Sequence, residues 1–258
     1  MPGTKTIRPY HWLALYYDRV FSFARSWGEA PRTHVLGRLL RRVVSACDLA
    51  CGTGSTAVTL ARRGIKTFGV DLSPTMCRLA REKARRARVP LQVLHADMRA
   101  FRLPEPVDLV LCEFDALNHV PRRTDLAKVT KTVARALRPG GHFYFDVNNR
   151  AAFKGVWPLT LYIEKPGVAV VMHGGCDRSG ERAWSDVEWF IREGGYWRRR
   201  HEHVEEVCWT ASEIRNALRD AGFDTIRAWD AAPLLRNDPS IRPGYRTFYL
   251  ARKQKTRD

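Results

Sequence analysis

The sequence predicts an α/β fold in which a largely parallel sheet carries helices on both faces. Three observations lead there. From residue 43 onward, apolar runs of strand length alternate with amphipathic runs of helix length. A tight glycine turn, "DLACGTGSTA" (48–57), joins the first of these strands to the first of these helices. Beyond Asn149 the pattern switches to period two, which marks a meander, and then one helix and two strands complete the chain.

The elements come in order. Residues 10–27, "YHWLALYYDRVFSFARSW", are aromatic and amphipathic and predict one helix that packs on another element. Residues 34–42 continue as a short basic helix. "VVSACDLA" (43–50) is a buried strand, and 54–63 is the helix after the glycines. "KTFGVDL" (66–72) is the second strand. Ser73 caps a helix from Pro74 to about Arg88, with proline at its first position. "LQVLHAD" (91–97) and "VDLVLCEF" (107–114) are strands three and four, 124–138 is a helix ended by "RPGG", and "HFYFDV" (142–147) is strand five. "VAVVMHG", "AWSDVEWFI" and "YWRRRHEHVEEVCW", separated by glycine pairs, make the meander. "TASEIRNALRDAGF" (210–223) is a capped helix, followed by the strands "DTIRAWD" and "YRTFYLAR". The chain thus divides into an N-terminal helical cap (1–42), a core (43–155), an inserted meander (156–208), the last helix and strands of the core (209–252) and a tail (253–258).

Composition narrows the class of function. No apolar run is long enough to cross a membrane as a helix, and the N-terminus lacks the apolar core of a secretory signal. Six cysteines without a C-x-x-C pair read as reduced, mostly buried thiols, which suits a cytoplasmic protein. The net charge of +17 invites a nucleic-acid partner. Yet the 44 basic residues, 35 of them Arg and 9 Lys, are scattered along the chain, and the densest run, 78–88, forms the wet face of an amphipathic helix.

The glycine turn has the G-x-G-x-x-A spacing of a dinucleotide fingerprint, at Gly52, Gly54 and Ala57. A pyrophosphate on that turn would be repelled by Asp48, which enters it from the first strand. An acid there suits an ammonium group instead. Asp71 ends the second strand, where it can hold ribose hydroxyls, and Asp97 ends the third, where it can accept from an adenine amino group. An amino acid, a ribose and an adenine across successive strand ends describe S-adenosylmethionine.

On the segments "DLACGTGS" (48–55), "GVDLSPTM" (69–76), "HADMRAF" (95–101), "DLVLCEFDALNHV" (108–120) and "LRPGGHFYFDVNN" (137–149), the chain resembles the class I (Rossmann-like) S-adenosylmethionine-dependent methyltransferases. It departs from the commonest loop in having Ala50 where a glycine often stands. The resemblance implies a seven-stranded Rossmann-like sheet with strand seven antiparallel between five and six. It implies that Asp48 and the backbone around Ala50, Gly52 and Gly54 hold the methionyl end, and that Asp71 takes the ribose. Leu72 and Met76 would pack near the adenine, Asp97 and the Met98 amide would read its edge, and Glu113 would lie beside the sulfonium. Small-molecule members of the family that act on amino groups are the nearest in arrangement, and there the region of Tyr17 closes over the cofactor.

Methyl transfer needs orientation and, for a protonated amine or a hydroxyl, a route for a proton. The loops after strands four and five, "EFDALNHV" and "DVNNR", carry one imidazole, His119, which is the candidate base. Asp115 and Glu113 are the next candidates, and Asn118 and Asn148 are candidates for orienting substrate. "HEHVE" puts His201, His203 and Glu205 on one strand face, where lining the pocket is expected and no metal site is. The expected function is methyl transfer to a nitrogen or oxygen of a small-molecule acceptor, by a monomer or homodimer. Two other classes stay open: an RNA or protein methyltransferase that uses the basic surface, and a non-catalytic S-adenosylmethionine-binding module.

Overall fold

The first strand, β1 (Ser45–Leu49), is buried at all five positions and is the axis on which the sheet grows in both directions. In the computed structural model, which describes residues 11–22, 25–235, 238 and 241–255, the helices before it are α1 (His11–Val20) and α2 (Arg25–Leu36). After it come α3 (Ser55–Arg62), β2 (Lys66–Asp71), α4 (Pro74–Ala87), β3 (Leu91–His95) and β4 (Val107–Cys112). Next are α5 (Arg123–Ala136), β5 (Leu137–Asn148), α6 (Arg150–Gly155) and the strands β6 (Leu161–Lys165), β7 (Val168–Cys176), β8 (Arg182–Glu193) and β9 (Tyr196–Val207). The chain closes with α7 (Ala211–Asp220), β10 (Phe223–Asp230) and β11 (Arg246–Lys253).

Seven strands form one sheet in the order β10-β11-β5-β4-β1-β2-β3. Pairs β5–β4, β4–β1, β1–β2 and β2–β3 are parallel, while β11 is antiparallel to both β5 and β10. Only β11 therefore runs against the others, as the family resemblance implies. Connections from β1 go one way to β2 and from β3 back across to β4. The strand order thus reverses between β1 and β4, and a crevice opens at their carboxyl ends. Val129, Val133, Leu218, Phe143, Phe145 and Phe223 fill one face of the sheet, beneath α5 and α7. Leu36, Leu60, Leu109, Leu111, Tyr144 and Phe248 fill the other, beneath α2 and α3.

Caps in the sequence set the helix starts. Ser73 Oγ accepts from the Met76 N–H with Pro74 at N1, and Thr210 with Glu213 makes a full capping box at α7. The N-terminal region departs from the expected single helix over 10–27. It is two helices, α1 and α2, broken after Val20, and the second runs on to Leu36, where a separate short helix was expected to begin. Tertiary packing places the break: α1 rests on the second sheet and α2 on the first.

The second sheet is antiparallel, in the order β6-β7-β8-β9. Its inner face is apolar at Val168, Val170, Val187, Trp189 and Ile191, and it buries Val20 with Trp12, Leu13 and Tyr16 of α1 against them. Glu202 is the one acid under α1 at this face. Its carboxylate accepts from the Trp12 N–H (2.8 Å), the Leu13 N–H (3.1 Å) and the Trp189 Nε1–H (3.0 Å). It thus caps the start of α1 from another element. At the other side of α1, Asp18 accepts from the Thr53 hydroxyl (2.8 Å) and pairs with Lys83 (2.6 Å). So α1 is a strut between the second sheet and the glycine turn. Glu202→Leu should leave those donors without an acceptor and destabilise the fold by at least about 1–3 kcal/mol. Urea unfolding measures this, and hydrogen exchange should show α1 as the first element to lose protection.

Candidate active site

The glycine turn is held by two strand-end acids. Asp48, 4% exposed, accepts from the Ala57 N–H (2.9 Å) in the first turn of α3. A carboxylate there satisfies one of the helix's orphan donors and faces the positive end of its dipole. Burial, reinforced by Glu113, pushes the Asp48 carboxyl up to about 8. Asp71 accepts from the Gly52 N–H and the Ser73 N–H, both at 2.8 Å, so one carboxylate ties the turn to the end of β2. Burial raises its pKa against the pull of those two donors. Ala50, Gly52 and Gly54 all have positive φ, at 57°, 53° and 79°. Gly54 is doubly constrained, since a Cβ there would stand 2.8 Å from the Ala80 Cβ. Over Gly52 the space is open, with only the Met76 sulfur as near as 4.0 Å. Leu72 is 65% exposed beside Asp71, while Met76 is buried below.

Asp97 and Met98 come after β3 in a turn. The Asp97 carboxylate is clamped by the Arg99 guanidinium at 2.6–3.0 Å, which holds its pKa below the usual value. Arg99 also bridges to the buried Asp125 at 3.0 Å. The part-exposed Asp97 oxygens keep further lone pairs, but an arginine beside them is a feature that reading the acid alone missed.

Glu113, just past β4, is 5% exposed. Its Oε2 accepts from the Thr56 hydroxyl (3.0 Å) and pairs with Arg32 of α2, and Oε1 is buried without a partner. Burial raises its pKa and Arg32 opposes that rise. The Arg32 contact exists because α2 comes close: a Cβ on Gly28 would lie 3.0 Å from the Phe114 ring. Tyr17 of α1 stands near Asp115 and Arg246, and burial pushes its hydroxyl up.

The loop after β4 turns through two left-handed residues, Phe114 (φ 60°) and Asp115 (φ 50°). Both N–H groups point at Asp146 of β5, whose two oxygens accept at 2.8 and 2.9 Å. Asp146 is 1% exposed and pairs with Arg246 of β11 at 3.1 Å. Removal from water raises its pKa to about 7, against the pull of Arg246. Arg246 also grips Asp115, donates to Asn148 Oδ1 (3.1 Å) and lies over the Trp27 ring. A 3-10 turn, Ala116–His119, comes next. Within it Asn118 is wholly buried, donates to the carbonyls of Asn148 (3.0 Å) and Val207 (2.9 Å), and accepts from the Asn148 N–H. Asn118 therefore stitches three segments together and does not orient substrate as expected, because its amide is already committed to backbone.

His119 is half-buried, with Nε2 3.9 Å from Asp115 and Nδ1 3.4 Å from the Glu205 carbonyl. Burial lowers its pKa and Asp115 opposes that. Beside it, from β9, comes a residue that the sequence pattern does not mark. Donor atoms of Asp115, His119 and Glu206 lie within 4.8 Å of one another, and Glu206 is 7% exposed. The expected pocket-lining face of β9 is the wrong one. His201, His203 and Glu205 point outward, where His203 meets Asp186 (2.9 Å) and His201 meets Glu188 (3.1 Å) across the β8–β9 ladder. Glu202 and Glu206 take the inner face, because Trp189, Val187 and Ile191 on the paired strand must be buried. Of the meander's tryptophans, Trp184 and Trp197 are exposed, while Trp189 is buried against α1.

The donor set around the turn suits one kind of ligand. Asp71 offers lone pairs to hydroxyls, bare Leu72 an apolar surface, open Gly52 room for close approach, and the unpartnered Glu113 oxygen a further acceptor. Residues 46–141 match the family model described as "Methyltransferase domain". Over that segment the chain carries a methyltransferase domain of the class I S-adenosylmethionine-dependent kind, with S-adenosylmethionine as its cofactor. It is 28% identical over 254 residues to a protein of Bacillus subtilis (strain 168) named provisionally as methyltransferase YqeM, across 96% of this chain and 98% of that one. Two solved structures share the fold. An S-adenosylmethionine-dependent methyltransferase from Clostridium acetobutylicum ATCC 824 aligns with a TM-score of 0.77 at 22% identity, over 95% of this chain and 99% of its own. The sugar N-methyltransferase KedS8 from Streptoalloteichus sp ATCC 53650 aligns with a TM-score of 0.76 at 21% identity, over 99% of each chain.

Arg246 is the counter-charge for Asp115 and Asp146. Arg246→Met should leave both acids uncompensated and cost about 3–5 kcal/mol, the range for breaking a buried pair from one side. Chemical denaturation of the purified variant gives the number directly.

Proposed function

We propose that this methyltransferase acts on a nitrogen or oxygen of a small-molecule acceptor, which enters between the loop after β4 and the end of β9. The observation that carries this reading is the half-buried His119, a ring nitrogen of which lies within 4.8 Å of carboxylate oxygens of Asp115 and the buried Glu206. The fold shared with a sugar N-methyltransferase agrees with it. The basic runs 78–88 and 197–201 contribute less free charge than their composition suggests: Arg78 pairs with Glu82, Arg198 with Glu193 and Arg199 with Glu188.

The cofactor supplies a methyl group activated by a sulfonium. The chain's part is to bind, orient and move a proton. Asp71 takes the ribose hydroxyls on lone pairs not used by Gly52 and Ser73. Leu72 and Met76 form the bed for the adenine, and Asp97 with the Met98 amide reads its edge. Asp48, the turn 50–54 and Glu113 face the methionyl end, and Tyr17 closes the site from α1. Arg32, which nothing in the sequence singles out, fixes Glu113. His119 is kept neutral at pH 7 by its lowered pKa and so is ready to accept a proton from the acceptor.

Titration calorimetry should show S-adenosylhomocysteine binding and no NAD binding. Asp71→Ala should weaken it by about 1.5–3 kcal/mol, the scale of hydrogen bonds to a charged group. Unchanged affinity would remove Asp71 from the ribose. His119→Ala should lower turnover by ~10²–10⁴-fold with cofactor affinity nearly intact. Since the neutral imidazole is the active form, the wild-type rate should fall as pH drops through the histidine pKa. That limb should lie below the ordinary imidazole value and be absent from the variant. A variant with full turnover and an unaltered pH profile would make the histidine structural.

A further inference from the structure

The acceptor side of the site is short of positive charge. Asp115, Asp146 and Glu206 converge there, and the cation among them, Arg246, is already shared by Asp115 and Asp146. Glu206 comes in from β9 of the second sheet with 7% exposure. Its carboxylate takes a hydrogen bond from the Asn148 side chain, but Oε2 is buried with no partner. Donor atoms of Asp115 and His119 also lie within 4.8 Å of its carboxylate. A second carboxylate beside Asp115, in a place removed from water, is costly by itself. The strand has no local need for it: the register pairs Glu206 with Ala183, so no cross-strand basic partner accounts for it. Burial and Asp115 together raise its pKa, and the Asn148 hydrogen bond and the shared Arg246 only oppose that rise, so a further cation beside it would favour its ionised form.

We propose that Glu206 is the residue that selects and holds the acceptor, and that the acceptor presents a protonated amine. The proposal rests on the methyltransferase reading above. The ammonium group sits between Glu206 and Asp115 and donates to the free Glu206 oxygen, so the cluster gains the charge it lacks. His119, at the edge of the same space, takes one proton from the ammonium. The neutral nitrogen then gives its lone pair to the methyl carbon as the carbon–sulfur bond breaks and that bond's electron pair returns to sulfur. The products are a methylated ammonium, an imidazolium on His119 and a neutral thioether. An uncharged hydroxyl in that position offers no charge to offset two carboxylates, so the pocket discriminates against it. Discrimination then resides in the second sheet, while the cofactor is handled by the first.

The test uses the full-length protein loaded with S-adenosylhomocysteine, with histidine side chains observed by NMR and His119 assigned by its Ala variant. Ethanolamine and glucosamine are titrated in beside their hydroxyl counterparts, ethylene glycol and glucose. The expected result is that both amines shift the His119 resonance and neither counterpart does. Glu206→Gln, which keeps the shape, should weaken the amine response by about ten- to a hundredfold, and Glu206→Asp should retain part of it. Circular dichroism confirms that each variant is folded. An equal response to amines and hydroxyls, no response to either amine, or an undiminished response in Glu206→Gln overturns the proposal. So does strong broadening of the His119 signal by low manganese chloride with silence toward amines, since the three side chains would then hold a metal. Failure of S-adenosylhomocysteine to bind at the loading step is a different outcome: it defeats the methyltransferase reading on which the proposal rests.

Discussion

One buried carboxylate organises the acceptor half of the site. Asp146 receives the N–H groups of Phe114 and Asp115, the two residues at which the chain leaves β4 in a left-handed conformation. Left-handed backbone costs about 1–2 kcal/mol per residue for side chains of this kind, so the turn needs an external reason to exist. Two parallel N–H donors on one carboxylate supply it, and Arg246 offsets the charge from across the sheet edge. The next residues of the chain depend on that turn. It aims Asp115 at Arg246, starts the 3-10 turn Ala116–His119 and so fixes the height of His119. Asn118 then locks the turn to β5 and to the end of β9.

The nucleotide half is built by the same device at the other side of β1. Asp48 and Asp71 each bind backbone N–H groups of the glycine turn or its helix, so the left-handed residues Ala50, Gly52 and Gly54 are held by strand-end acids. Helix α1 connects the two halves mechanically. Glu202 of the second sheet caps its start and Asp18 near its end grips Thr53 and Lys83.

The parallel sheet and the acids at its strand ends are legible in the sequence because they depend on local period and spacing, whereas the place of the antiparallel strand comes only from the family resemblance. Asp48, Asp71 and Asp97 sit one after another at the ends of apolar runs, and no tertiary knowledge is needed to see them. Partners are not legible. Arg32 meets Glu113 and Arg246 meets Asp115 across 81 and 131 residues, and nothing local marks either arginine among the many in this chain. Asp146 stands near the end of β5, in the segment "DVNNR" that the sequence does flag, but its task is to hold backbone, which no motif announces. The inward face of β9 is hidden for a clear reason. The run "HEHVEE" is polar at both parities, so period two reveals a strand but not its inward side. The decision lies on β8, where Val187, Trp189 and Ile191 demand burial and carry Glu202 and Glu206 inward with them. The break between α1 and α2 is hidden likewise, because a continuous amphipathic pattern does not tell that its two halves serve different sheets.

The central claim is that the Asp146 carboxylate holds the loop after β4 while leaving the glycine turn alone. Hydrogen–deuterium exchange of Asp146→Asn, read by mass spectrometry over 113–120 and over 50–57 in the presence of S-adenosylhomocysteine, tests it most directly. The account predicts that 113–120 loses protection while 50–57 stays as protected as in the wild type. Equal protection of 113–120 in the two proteins, or loss over both segments together, would contradict it.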